Sequence, residues 1–147
     1  MKKCYLDSNV LVYFKDDNSL HHQTAVDLVD SLIPEKYEIY LSSLILDEFL
    51  HSLMFVLRQK RININDQYKR LNAAIRSILD LQHVHIANPS PNKDSNLNVI
   101  KIMQDFHLGP RDAYHFLIIQ ENNIGEFATF DNDFKRVFAK KLLKQVK

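Results

Sequence analysis

The sequence predicts an α/β fold with a largely parallel sheet, on three observations. Apolar runs of strand length occur at 3–6, 37–41, 84–86 and 126–129. Segments with apolar residues at helical spacing lie between them, and strands alternating with helices build parallel sheets. Only two glycines and four prolines occur in 147 residues, so long flexible linkers are not expected and 1–147 reads as a single domain.

The first run, 3–6, ends at Asp7-Ser8-Asn9. The apolar stretch 10–14 then reads as a short helix for which Asp7 is a candidate N-cap. After the polar loop 15–18, Ser19 is placed to cap a helix reaching about Ile33, with Ala25, Leu28, Val29 and Leu32 at helical spacing and Pro34 as its stop. The second strand, 37–41, leads through Ser42-Ser43 into a helix over 44–58. The buried stripe expected there is Leu46, Phe49, Leu50, Leu53 and Leu57, with Glu48 on the far side. A helix at 66–81 is expected to bury Tyr68, Leu71, Ala74, Ile75, Ile78 and Leu79. The third strand, 84–86, is followed by a proline-bearing loop, a helix at 95–106 and the Gly109-Pro110 break. A helix at 111–122 precedes the fourth strand, and a last helix starts near Asn132. Residues 140–147 read either as an extension of that helix or as a short edge strand, which leaves four or five strands.

Composition excludes several classes. Hydrophobic residues make up 46%, enough for a core. The single cysteine, Cys4, excludes an intramolecular disulfide and a Cys-His zinc pattern. Lys2-Lys3 is followed by too few apolar residues for a secretory signal, and no apolar run is long enough to span a membrane, so a cytoplasmic location is expected. Phosphate-cradling glycine loops and a Gly-x-Ser-x-Gly elbow are absent. Net charge is +1, but six basic residues and no acid lie in 134–147, and six basic residues against Asp66 alone lie in 58–76. Basic flanks around an acidic centre suit a site that holds cations and a polyanion together.

The acidic centre is the chemical signal. Asp7 and Asp131 follow strands, Glu48 lies early in the helix after the second strand, and Asp112 stands in the first turn of the helix opened by Gly109-Pro110. Each has a structural explanation taken singly. Asp7 can cap a helix, Asp112 can complement a helix dipole, Asp131 and Asp133 can serve a turn, and Glu48 can be a solvated face. Asp7 and Asp131 belong at one sheet edge, where ligands of α/β folds bind; Glu48 joins them if its helix follows the second strand closely, and Asp112 is harder to place because its helix follows another helix rather than a strand. Carboxylates gathered there repel unless a cation neutralises them. Oxygen ligands without His or Cys favour Mg²⁺ or Mn²⁺. His115, one turn after Asp112, is read as a helix surface residue, the alternative being contact with the substrate or with groups behind the acids.

These residues carry a resemblance. Asp7-Ser8-Asn9 resembles the Asp-x-Asn opening of PIN domains, Pro110-Arg111-Asp112-Ala113-Tyr114-His115 is similar to the third acidic motif of that family, and Thr129-Phe130-Asp131-Asn132-Asp133-Phe134 resembles its fourth. Glu48 fills the place of the second acid. The resemblance covers the whole chain in order. It implies a three-layer α/β/α sandwich with a central parallel sheet and an Mg²⁺- or Mn²⁺-dependent endoribonuclease, with a water activated by the ion as nucleophile. It further implies a VapC-like toxin that forms homodimers and is blocked by an antitoxin protein. Asp7, Glu48, Asp112 and Asp131 carry over as metal ligands and catalytic acids, Asp133 as an additional acid, and Ser8, Asn9 and Thr129 as supporting residues. Arg111 stands beside the third acid without an assigned role. The basic segments are expected to hold the RNA backbone. The competing readings are a non-catalytic PIN-like module that binds RNA or protein, and a structure-specific DNA nuclease, for which no duplex-gripping segment is evident.

Overall fold

The computed structural model describes residues 1–147. Its strands are β1 (Lys3–Leu6), β2 (Glu38–Leu41), β3 (Val84–Ile86), β4 (Glu126–Ala128) and β5 (Lys144–Val146). They form one sheet in the order β3-β2-β1-β4-β5, and every neighbouring pair is parallel. Seven helices connect them: α1 (Ser8–Lys15), α2 (His22–Leu32), α3 (Ser43–Gln59), α4 (Ile64–Leu79), α5 (Lys93–Phe106), α6 (Pro110–Glu121) and α7 (Lys135–Ala139).

The strand order dictates the layers. From β1 through β2 to β3 the chain moves one way along the sheet, so right-handed crossovers put α1–α4 on one face. From β3 it jumps back past β2 and β1 to β4 and continues to β5, so α5, α6 and α7 cover the other face. The packing agrees: α1 lies on α2 and α3, α3 on α4, and α5 on α6. On the second face Phe116 of α6, Phe127 of β4 and Phe134 meet edge-to-face, with Phe106 against Phe116. One core cluster of 34 buried residues joins the layers. The winding reverses between β1 and β4, and the carboxyl ends of those two strands therefore frame a crevice.

Several local expectations shift. Ser19 accepts a hydrogen bond from the His21 amide (3.1 Å), and α2 starts at His22 rather than directly after Ser19. The buried stripe of α3 is Ile45, Phe49, Leu53 and Leu57, with Leu46 and Leu50 only partly covered. In α4, Tyr68 and Leu79 are 58% and 41% exposed, not buried. That helix lies against α3 in the outer part of its layer, so only a narrow stripe is covered. The tail adopts the edge-strand alternative. β5 pairs with β4 in the register Glu126↔Lys144, Phe127↔Gln145, Ala128↔Val146.

Candidate active site

Asp7 is the hinge between β1 and α1. Its backbone is extended (φ −76°, ψ 154°), and its carboxylate Oδ1 accepts from the Ser8 amide at 2.7 Å, so it is an N-cap as its position suggests. The second oxygen, Oδ2, accepts from the Thr129 hydroxyl at 2.6 Å. Capping and site membership are thus not alternatives at this residue. Thr129 follows β4, and its Oγ1 also accepts from the Asp131 amide at 3.1 Å, which folds the turn that carries Asp131. Asn9 accepts from the Phe130 amide at 3.4 Å and fastens the same turn to α1. From the far edge, Gln145 of β5 donates to the Thr129 and Asp131 carbonyls at 3.1 and 3.5 Å.

Glu48 projects from the second turn of α3, whose N-cap is Ser42. Its side chain is only 12% exposed, so it is not a solvated face. Oε2 accepts from the Ser8 hydroxyl at 2.9 Å, Oε1 lies 2.9 Å from His115 Nε2, and Arg111 Nε stands 3.4 Å from Oε1. Asp112 sits in the first turn of α6 behind Pro110. The carboxylates of Asp112, Asp131 and Asp133 accept no hydrogen bond from the chain. Asp7, Ser8, Glu48, Asp112, His115, Asp131 and Asp133, with Phe127 and Phe134, line one cleft of about 70 Å³. The five acids expected from the sequence therefore come together. Two are held by hydrogen bonds and three are free.

The electrostatics bear the marks of crowding. Burial pushes the Asp7 carboxyl up to about 6, against the Thr129 and Ser8 hydrogen bonds and with the Asp131 charge adding to the rise. Burial raises Asp112 too, reinforced by the negative charges of Asp133, Glu48 and Asp131. Burial alone would raise Glu48 as well, but His115, Ser8 and Arg111 together outweigh it and hold the carboxyl below its usual range. Free, mutually repelling carboxylate oxygens suit a hard divalent cation such as Mg²⁺ or Mn²⁺. As placed, the side chains do not form a ready-made cage of three or more metal ligands.

Ser8 and Glu48 also border a second polar cavity of about 240 Å³, completed by Asp47, His51, Ser52 and Arg111. On the other flank, Lys135 and Arg136 share a cleft with Asp133 and His107. None of the basic residues of 58–76 lines either the carboxylate cleft or the adjoining polar cavity. The largest cleft, about 540 Å³, lies beside β5 and contains no acid, so chemistry rather than size locates the site.

The sequence understated His115, whose side chain is 3% exposed and hydrogen-bonded on both ring nitrogens. It missed Tyr5 and Ser42, which continue that chain of contacts at 2.9 and 2.6 Å. A signal was present. His115 is followed by Phe116, Leu117, Ile118 and Ile119, and a polar residue inside so apolar a helix is a buried one in need of partners.

Fold and cleft together define a parallel α/β domain with an acidic centre at the reversal of its sheet. The PIN domain family profile matches residues 4–140, and the chain belongs to that family. No curated protein sequence matches it. Among solved structures it is similar to the Mycobacterium tuberculosis toxin VapC20, which cleaves the sarcin-ricin loop (16% identity, TM-score 0.61, covering 91% of this chain and 94% of that one). It is also similar to VapBC2 of Rickettsia felis bound to a promoter DNA fragment (15%, TM-score 0.64, 98% and 97%). FitAcB of Neisseria gonorrhoeae matches comparably (18%, TM-score 0.60, 98% and 96%). At these identities the likeness speaks for the fold. No helix is long and apolar enough to cross a membrane.

Proposed function

We propose that the chain is a metal-dependent endoribonuclease and the toxin of a toxin–antitoxin pair. The observation that carries this reading is the meeting of Asp7, Glu48, Asp112, Asp131 and Asp133 in one cleft at the carboxyl ends of β1 and β4. Asp7, Glu48, Asp112 and Asp131 are the residues to hold Mg²⁺ or Mn²⁺, with Asp133 as a further acid. When bound, the ion supplies positive charge against a phosphodiester and lowers the pKa of a water. The chain's own contribution is placement. Thr129 and Ser8 fix Asp7, and the Asp131 turn is tied to Asn9 of α1 and to Gln145 of β5. Arg111, 64% exposed, and His51 offer donors to the RNA backbone in the cavity next to the acids. Lys135 and Arg136 offer the same on the opposite flank.

The partners follow as proposals from the likeness to the toxin VapC20 and to VapBC2. An antitoxin protein and a homodimeric state belong to this reading. A non-catalytic binding role is disfavoured by the retention of all four acids.

Incubation of purified chain with end-labelled structured RNAs tests the proposal, comparing Mg²⁺, Mn²⁺ and EDTA with Asp112→Asn in parallel. Metal-dependent cuts absent from the variant support it. Identical background from both folded, antitoxin-free proteins refutes the enzyme.

A further inference from the structure

A chain of buried hydrogen bonds runs from the start of α3 through β1 to α6 and back to α3. The Ser42 hydroxyl lies 2.6 Å from Tyr5 Oη, Tyr5 Oη lies 2.9 Å from His115 Nδ1, and His115 Nε2 lies 2.9 Å from Glu48 Oε1. Tyr5, Ser42 and His115 are all essentially inaccessible to water. We propose that His115 is a positioning residue for Glu48, with Ser42 and Tyr5 fixing its ring so that Nε2–H always faces the carboxylate. The proposal rests on the reading of Glu48 as a site carboxylate.

The direction of the chain follows from counting protons. Ser42 Oγ already accepts from the Ile45 amide at 3.1 Å, as the N-cap of α3. Its own hydrogen has one partner, Tyr5 Oη. The single Tyr5 hydrogen must then go to its other neighbour, His115 Nδ1, which accepts it and carries no proton. The ring proton sits on Nε2 and points at Glu48 Oε1. Reversing the order strands the Ser42 hydrogen in a buried site without an acceptor, at the cost of an unmade hydrogen bond. A neutral ring in the reverse tautomer would also set the Nε2 lone pair against a carboxylate oxygen. Burial holds the Tyr5 phenol far above its ordinary range, so it remains a donor.

The consequence is that Glu48 is gripped at both oxygens by groups from two other elements, Ser8 of α1 and His115 of α6. A side chain on α3 is thereby locked to the helix that carries Asp112. Donors behind a ligating carboxylate set its orientation, and their loss usually weakens metal binding about 10–100-fold. The Tyr5 relay selects the donor tautomer before any ion arrives.

Two side chains separate positioning from packing. Gln reaches where Nε2 was and keeps a donor for Glu48, whereas Asn reaches only the Nδ1 position and keeps the Tyr5 contact. Mn²⁺ binding by wild type, His115→Gln and His115→Asn is measured by titration calorimetry, with melting curves confirming that each folds. Ring ¹⁵N NMR spectra of the metal-free wild type, assigned by the resonances lost in His115→Gln, report the tautomer. The expected result is an Nε2–H ring in the wild type, rescue of Mn²⁺ affinity to within about three-fold by Gln, and a loss of about ten-fold or more with Asn. Equal affinities in the two folded variants, or an Nδ1–H ring, overturn the proposal. A wild type that takes up no Mn²⁺ defeats the metal reading, and the ring spectrum then decides the positioning role by itself.

Discussion

Thr129 Oγ1 stands 2.6 Å from Asp7 Oδ2 while accepting from the Asp131 amide at 3.1 Å. One hydroxyl thus spans two acids from the carboxyl ends of neighbouring strands, β1 and β4. It converts strand pairing, in which Leu6 faces Ala128, into a fixed spacing of chemical groups.

Thr129→Val keeps the shape and removes the hydroxyl. It leaves Asp7 Oδ2 without its donor in a nearly closed position. A stability loss of about 1–3 kcal/mol is expected in urea unfolding. RNA cleavage should fall further than stability, and Thr129→Ser should restore most of both.

Asp7 makes metal-free stability depend on pH. Its carboxyl titrates near 6 in the folded chain and at about 3.9 when unfolded. The folded state keeps this proton across a window in which the unfolded state has released it. The stabilising contribution is therefore complete below about pH 4 and is lost as pH rises through about 6. In EDTA, Asp7→Asn should gain about 1–3 kcal/mol relative to wild type between pH 4 and pH 8. Mn²⁺ should narrow the difference at pH 8, because only the wild type binds it well. A difference that stays constant with pH contradicts the burial of Asp7 as a charged group.

Asp112 has a free carboxylate whose proton affinity is raised by burial and by Asp133, Glu48 and Asp131. Asp112→Asn should melt at the same or a higher temperature than wild type in EDTA. It should lose the Mn²⁺-dependent rise in melting temperature that the wild type shows. Differential scanning fluorimetry with and without the ion measures both.

Gln145 ties the edge strand β5 to the carbonyls of Thr129 and Asp131. Gln145→Ala should cost about 1 kcal/mol of stability. Its larger effect should be on cleavage, because the Asp131 turn loses its outer support. Cleavage and unfolding of the same preparation compare the two directly.

Much of this was legible in the sequence, for identifiable reasons. Asp7 and Asp131 were found because they end apolar runs, where Asp is among the residues that favour turns and helix caps whatever the function. Glu48 was found because it lies off the stripe of Phe49, Leu53 and Leu57, where packing does not demand an apolar residue. Its surroundings were not visible. They come from Ser8 and His115, 40 and 67 residues away, and no local pattern reports a contact of that range. Tyr5 was hidden for a related reason, since in a buried strand it reads as one more apolar residue and only the partner of its hydroxyl reveals it. The end of the chain was ambiguous because β5 has three residues and pairs on one side only, which is too short for periodicity to separate strand from helix.

The central claim is that the carboxylate cleft hydrolyses RNA with a water as nucleophile, and the chemistry of the cut ends tests it most directly. Products of a metal-supported digest would be treated with phosphatase and with polynucleotide kinase, and their termini identified by mass spectrometry. The account predicts 5′-phosphate and 3′-hydroxyl ends that vanish with Asp112→Asn. A 2′,3′-cyclic phosphate would contradict it, because that product arises from attack by the RNA's own 2′-hydroxyl.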